Sequence, residues 1–271
     1  MKSFNFKSAT NTKEATKLAS GRATFLAGGM TLLPAIKLRL AAYSDLINIK
    51  KIKSLSGIKV SSKSIKIGAT TTHAKVAASK EVGKSIPSLA VLAEGIGDPQ
   101  VRNRGTIGGS IANNDPAADY PSACLALNAT IHTSKRKIPA EKFFKGMFET
   151  DLKKGELIES IEFEVPEKSG YAKFPNPASR YAVVGVYVAK LKNEVRVAIT
   201  GAASCVFRSK ELENALSSNF SNSAIDNVNI SSKGLNTDLH ASAEYRKHLI
   251  RVLTGRSLSA AWLQTKGDPN A

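Results

Sequence analysis

The chain has 271 residues, enough for one large domain or two ordinary ones, and its hydrophobic share of 42% suffices for a packed core. It has neither a run of about 18 apolar residues nor a signal-peptide core, so we expect no membrane span and a cytoplasmic location. The net charge is +17, but the lysines are spread from end to end. This favours solvated surface lysines, with an acidic protein partner as second choice, over nucleic-acid binding.

The first part of the chain predicts a small α/β unit, because alternating and helically spaced apolar residues follow one another. In chain order we expect a strand at 4–6, a helix capped by Thr10 or Asn11, a strand at 23–27, a helix at 32–40 and a strand at 46–49.

The middle of the chain predicts a second, larger unit. Its expected elements are a β-hairpin at 58–70, helices over 71–95, a helix that passes into a strand at 122–131, and a strand at 161–165. The glycine and two prolines of residues 167–180 predict a linker, so we place a domain boundary near 166–172.

The last third predicts a smaller, separate unit. Two apolar runs around Lys192-Asn193 indicate a second β-hairpin, and a Ser/Asn-rich surface loop follows at 217–233. A helix with an apolar stripe closes the chain at 242–263.

Two paired-glycine turns carry the clearest chemical signal. Gly28-Gly29 ends a predicted strand, and Gly108-Gly109 lies between the hydroxyls of Thr106 and Ser110. Glycine lets a ligand approach the main chain, and successive N–H groups form a concave anion site. A single turn of this kind is common in proteins. The presence of two such turns predicts a site for the two phosphates of one dinucleotide, with the Thr31, Thr106 and Ser110 hydroxyls as further donors.

A dinucleotide also needs an acceptor for its ribose hydroxyls, and Asp115 and Asp119 are the candidates. Asp115 is better explained by an Asn-Asp-Pro turn, in which it caps a helix that Pro116 starts. For Asp119 the residues alone favour neither a ligand role nor a structural one.

Other kinds of site are not indicated. Both the GxGxxG and the GxxxxGK[ST] patterns are missing, so we expect neither a Rossmann nor a P-loop site. The histidines are scattered, and Cys124 and Cys205 are too few for an iron–sulfur cluster, so we expect no metal and two free thiols rather than a disulfide. No catalytic side chain is predicted, and a bound cofactor would carry the chemistry.

Several stretches resemble one known family, among them FLAGGMTLLPAIKLRL (25–40), IKIGATTTHAKV (65–76) and DPQVRNRGTIGGSIANNDPAADYPSACLALNATI (98–131). The chain resembles the FAD-binding medium subunit of the molybdenum hydroxylases, which include xanthine dehydrogenase, carbon monoxide dehydrogenase and aldehyde oxidoreductase. The resemblance implies an α+β fold. An FAD-binding domain over 1–167, made of two α/β subdomains at about 1–56 and 57–167, would precede a small antiparallel sheet with a C-terminal helix bundle over 171–271.

The resemblance also implies which residues bind FAD. The two glycine turns would wrap the pyrophosphate, and Asp119 matches the aspartate that ends a DPxxD segment of the family. Ile158 matches an apolar residue near the flavin, Lys173 matches a lysine near its ring, and Tyr181 is a weaker aromatic candidate. The full implied set is Ala27, Gly28, Gly29, Met30, Thr31, Thr106, Ile107, Gly108, Gly109, Ser110, Asp119, Ile158 and Lys173.

Partners follow from the same resemblance. In the family, substrate is oxidised at a molybdopterin centre in a large subunit, and electrons pass through two [2Fe–2S] clusters of a small subunit to FAD and then to an external acceptor. We therefore expect both subunits as partners, in a dimer of heterotrimers, with molybdopterin and clusters on those partners. The alternative is a stand-alone FAD-dependent oxidoreductase. A basic nucleic-acid-binding protein is a third hypothesis, from the charge alone.

Overall fold

The structure, a computed structural model, describes residues 2–263 and begins with a small parallel sheet. Its strands are β1 (Asn5–Ser8), β2 (Ala23–Leu26) and β3 (Asp45–Asn48), in the order β1-β3-β2. Helices α1 (Thr12–Leu18) and α2 (Leu32–Lys37) connect the strands, and a one-turn 3-10 helix follows at Lys53–Leu55. The predicted α/β unit is confirmed, and Asn11 caps α1 by accepting from the Glu14 N–H at 2.9 Å.

A larger, antiparallel sheet forms the middle of the chain. Its strands are β4 (Ile58–Val60), β5 (Ser64–Gly68), β6 (Thr130–Thr133), β7 (Lys137–Pro139) and β10 (Ile158–Glu164), with a separate hairpin of β8 (Phe144–Gly146) and β9 (Glu149–Thr150). The order is β4-β5-β10-β6-β7. The helices of this unit are α3 (His73–Ala77), α4 (Lys80–Ser85), α5 (Pro87–Glu94), α6 (Pro99–Arg104), α7 (Ile107–Asn113), α8 (Tyr120–Ala126) and α9 (Ala140–Phe143).

The third sheet corrects the linker prediction. Residues predicted as a linker form strand β11 (Lys168–Pro175), which pairs with β12 (Ala182–Lys190). Gly170 serves close packing there, because a Cβ at that position would lie against the backbone of Ser257. Pro175 ends the strand, where the pairing register shifts. Gly170 therefore belongs to a packed strand, and Pro175 marks the end of that strand.

The rest of the third unit follows the prediction. Strands β12, β13 (Val195–Thr200) and β14 (Phe207–Arg208) continue the antiparallel sheet from β11. Helix α10 (Lys210–Ser218), a 3-10 turn at Asn222–Ile225 and helix α11 (Ala243–Leu263) pack with this sheet, so the predicted α+β class is confirmed. Residues 264–271 of the predicted C-terminal domain lie outside the described residues.

The second and third sheets share a core. Tyr171, Tyr187 and Ala198 of the third sheet belong to the apolar cluster of the middle unit. A buried hydroxyl chain joins the same units, since Ser88 Oγ lies 2.6 Å from both Ser169 Oγ and Tyr187 Oη. The third sheet is thereby fixed relative to the elements around the glycine turns. Within residues 2–263, no helix is both long and apolar enough to cross a bilayer.

Candidate cofactor-binding site

The first glycine loop, residues 27–31, joins the end of β2 to the start of α2. Gly29 has a φ of 77°, which glycine adopts without strain. Across residues 2–263, no backbone or side-chain acceptor pairs with the N–H groups of Gly28, Gly29, Met30 and Thr31. The loop therefore presents a run of unpaired donors, which is the arrangement that binds phosphate oxygens.

The second glycine loop, residues 105–110, uses its N–H groups differently. The Ile107 N–H donates to Thr71 O at 3.1 Å and the Gly108 N–H to Ala69 O at 2.9 Å. The Gly109 N–H donates to Thr106 Oγ1 at 3.2 Å, so Thr106 caps α7. These bonds anchor the second loop to the end of β5.

The two loops touch each other through glycine backbones. A Cβ built on Gly28 would lie 2.3 Å from Arg104 O and 2.8 Å from the Cα of Gly105. A Cβ on Gly108 would lie 2.5 Å from the Cβ of Ala69. Any larger residue at these glycines would separate the loops from each other or from the sheet.

A cleft of about 520 Å³ opens over the two loops, within the volume range typical of ligand pockets. Apolar side chains form much of its wall, including Ile49, Ile96, Leu152 and Ile158. Residues 179–181, in the connection between β11 and β12, close it from the side of the third sheet. All three units of the fold therefore contribute to one cleft that combines backbone donors with apolar walls.

A buried charged cluster lies at the edge of the cleft. Asp119 Oδ1 accepts from Tyr171 Oη at 2.5 Å and pairs with Lys173 Nζ at 2.9 Å. Lys173 Nζ also donates to Gly95 O at 2.9 Å and Arg180 O at 3.0 Å. Burial raises the pKa of Asp119, and the Lys173 ammonium opposes that rise. The cluster ties α8 to β11 and to the connection that closes the cleft.

Comparison with known proteins identifies the family. Residues 2–167 match the model of the FAD binding domain in molybdopterin dehydrogenase. This chain belongs to that family. It is similar to the glyceraldehyde dehydrogenase medium chain of Sulfolobus acidocaldarius, with 35% identity over 93% of this chain and 95% of that one. It is also similar to the carbon monoxide dehydrogenase medium chain of Hydrogenophaga pseudoflava, with 34% identity over 89% of each.

Solved structures support the same assignment. The carbon monoxide dehydrogenase structure from Hydrogenophaga pseudoflava, which lacks the Mo-pyranopterin moiety of its cofactor, aligns with a TM-score of 0.86 at 31% identity. The alignment covers 97% of this chain and 98% of that one. The chain is thus an FAD-binding medium subunit of the molybdenum hydroxylase family, and its cofactor is FAD.

The residues of this medium subunit fit FAD. The unpaired N–H groups of the first glycine loop suit a pyrophosphate, which carries negative charge and accepts hydrogen bonds. The apolar wall residues suit the flavin and adenine rings. When bound, FAD supplies the redox chemistry, and the protein supplies binding, orientation and electrostatics.

Most residues predicted to bind FAD line the cleft. Those that do are Ala27, Gly28, Gly29, Met30, Thr31, Thr106, Gly108, Gly109, Ser110, Asp119 and Ile158, together with Tyr181. Ile107 is fully buried in the core behind the second loop. Lys173 does not line the cleft among the described residues, and reaches its edge through Asp119.

The helix-cap prediction for Asp115 was wrong. No helix begins at Pro116, since α8 begins at Tyr120. The Asn-Asp-Pro turn of the same prediction is confirmed, and the Oδ1 of Asp115 accepts there from the Ala117 N–H at 2.9 Å. The Gly201 N–H and the Thr200 hydroxyl both donate to Pro116 O. This carbonyl is therefore bonded to the third sheet and is not available for the hydrogen bond of a helix that starts at Pro116.

Several polar residues that line the cleft were missed from the sequence, among them His73 and Arg180. Residues 71–73 lie at the start of α3, and a lone histidine on a short helix is usually a core residue. Arg180 has a φ of 60° in the connection after β11, within the segment that the sequence predicts as a linker.

Proposed function

We propose that this chain is the electron-transfer flavoprotein of a molybdenum hydroxylase complex, in which reduced [2Fe–2S] clusters of a small partner subunit are the electron donor. Electrons reach the FAD of this chain and leave to an external acceptor. The single observation that carries the proposal is the cleft over the two touching glycine loops, where unpaired N–H groups meet apolar walls.

The proposed roles follow the contacts. The first glycine loop binds the pyrophosphate, and the second, from Thr106 to Ser110, forms the opposite wall. Ile158, which is 4% exposed, packs against the flavin. Asp119 and Lys173 position residues 179–181 over the cofactor, because Lys173 Nζ bonds to Arg180 O.

The cysteine count supports a division of labour among subunits. The chain has two cysteines, and both are free thiols, whereas a [2Fe–2S] cluster normally needs four thiolates. We therefore assign the clusters to a small partner and the molybdopterin to a large one, in a dimer of heterotrimers. Free thiols also suit the reducing cytoplasm, where we place the complex.

The names of the relatives support the assignment of substrate choice to another subunit. Medium subunits of glyceraldehyde, carbon monoxide and nicotine enzymes are each 31% to 35% identical to this chain. Because the medium subunits resemble one another while the substrates differ, we assign to this chain the flavin step that such complexes share.

The division into domains is part of the proposal. We propose an FAD-binding domain at 1–167, with subdomains at about 1–56 and 57–167, and a C-terminal domain at 171–271. The sheets support it, because the first two are each built within one subdomain. Strand β11 of the third sheet begins at Lys168, which supports a division close to residues 167–171.

The test is an electron-transfer experiment with separated subunits. The flavin-loaded chain is mixed with its chemically reduced iron–sulfur partner, and the visible absorbance of oxidised flavin is followed. The proposal expects rapid flavin bleaching with the partner and none when substrate is added to this chain alone. Substrate turnover by the isolated chain would support the stand-alone oxidoreductase instead.

A further inference from the structure

Two buried polar atoms near the second glycine loop have no hydrogen-bond partner within residues 2–263. They are His73 Nδ1 and Tyr120 Oη. His73 is 5% exposed and Tyr120 is fully buried, and their ring centroids lie 5.4 Å apart. Buried polar atoms are nearly always paired, so two unpaired atoms on neighbouring rings indicate a partner that they share.

The other edge of the His73 ring lies against Gly105 of the second glycine loop. The His73 N–H donates to Gly105 O at 3.0 Å, and Nε2 lies 2.6 Å from where a Cβ on Gly105 would be. Both residues line the cleft. Histidine ring hydrogen bonds occur at His132 and His240 in the described part of the chain, and not at His73. Because Gly105 has no side chain, the Nε2 edge of His73 fits beside the second glycine loop, where both residues line the cleft.

The unpaired pair is compatible with a neutral imidazole that carries its proton on Nε2. A water between the rings would accept from the Tyr120 hydroxyl and donate to Nδ1, and so would pair both atoms. A neutral imidazole whose Nδ1 accepts carries its one proton on Nε2. Burial lowers the pKa of His73 to about 4, and nearby Arg102 adds to this, so the ring stays neutral at ordinary pH.

We propose that His73 is an FAD-binding residue whose Nε2–H donates a hydrogen bond to the phosphate-bearing part of the cofactor beside the second glycine loop. Tyr120, through a water shared with Nδ1, is a positioning residue that favours this tautomer. The inference rests on the proposed FAD site. It explains why the second loop, whose own N–H groups bond largely to the protein, still lines a phosphate site.

The test combines FAD affinity with histidine nuclear magnetic resonance on the flavin-free full chain. In the wild type, the ¹⁵N spectrum should show His73 protonated on Nε2, and FAD should shift that signal. His73→Leu should weaken FAD binding roughly 10-fold, the effect of one hydrogen bond to a charged group. His73→Gln keeps a side-chain N–H and should retain most of the affinity. Tyr120→Phe should show a smaller loss in the same direction.

The outcomes separate the inference from the proposed function. If the wild type binds no FAD, the proposed function fails. If the wild type binds FAD while the His73 signal stays unmoved, or His73→Leu binds with wild-type affinity, only the inference is overturned. The resonance measurement uses unaltered protein, so a variant that fails to fold does not remove the test.

Discussion

The contact between the two glycine loops predicts the effect of a single methyl group. In Gly28→Ala, the new Cβ would lie 2.3 Å from Arg104 O, whereas ordinary contacts begin at 3.4 Å. Both partners are backbone, so the loops must separate by about 1 Å, and overpacking of this kind destabilises by about 1–3 kcal/mol. The same movement displaces the unpaired N–H groups and should weaken FAD binding at least roughly 10-fold.

The assays are urea unfolding and FAD titration of the flavin-free protein, at a temperature where both forms are folded. Gly83→Ala is the matched control. Gly83 lies in helix α4, and a Cβ there meets nothing within 4 Å. That variant should gain about 0.5–1 kcal/mol and bind FAD normally. Unchanged stability and FAD affinity in Gly28→Ala would refute the account of touching loops.

Three further predictions concern the surroundings of the cleft. Asp119→Asn leaves the buried Lys173 ammonium without its counter-charge, so urea unfolding should show a loss of about 3 kcal/mol, partly recovered in the Asp119→Asn/Lys173→Met double variant. The pKa of His73 is about 4 in the folded protein and 6.5 for an exposed histidine. As the pH falls from 6.5 towards 4, the imidazole of the unfolded chain is protonated while that of the folded chain is not, so the folded state loses stability. Flavin-free protein should lose up to about 3 kcal/mol from this group over that window, and His73→Gln should lack this component. Asn114→Ala removes the side-chain donor that bonds to Gly146 O and Glu149 O. Its free energy of unfolding should fall by about 2 kcal/mol more than that of the control Asn128→Ala, because Asn128 has a similar positive φ but an exposed side chain.

Local patterns of the sequence predicted much of the fold. Short apolar runs predicted the strands of the first sheet, and the two glycine pairs marked the loops that line the cleft. The segment after Pro166 was mispredicted because Gly170 has the signature of a flexible linker. Its actual requirement is the close approach of Ser257, which is far away in sequence. Long-range packing of this kind leaves no local signal.

The two glycine loops show the same limit within the site. Their sequences are alike, and both were predicted to offer bare N–H groups to the ligand. Only the structure separates them, because the second loop bonds to Ala69 O and Thr71 O across the end of β5. Likewise, the role of His73 depends on Gly105 and Tyr120, which the fold brings to it from elsewhere in the chain.

Hydrogen–deuterium exchange with and without FAD tests the central claim most directly. Residues 28–31 have unpaired N–H groups and should exchange fast in the flavin-free protein, then slow markedly when FAD binds. The second loop should exchange slowly in both states, since Ile107 and Gly108 already bond to the sheet. Bound FAD that leaves the exchange of residues 28–31 unchanged would contradict the account.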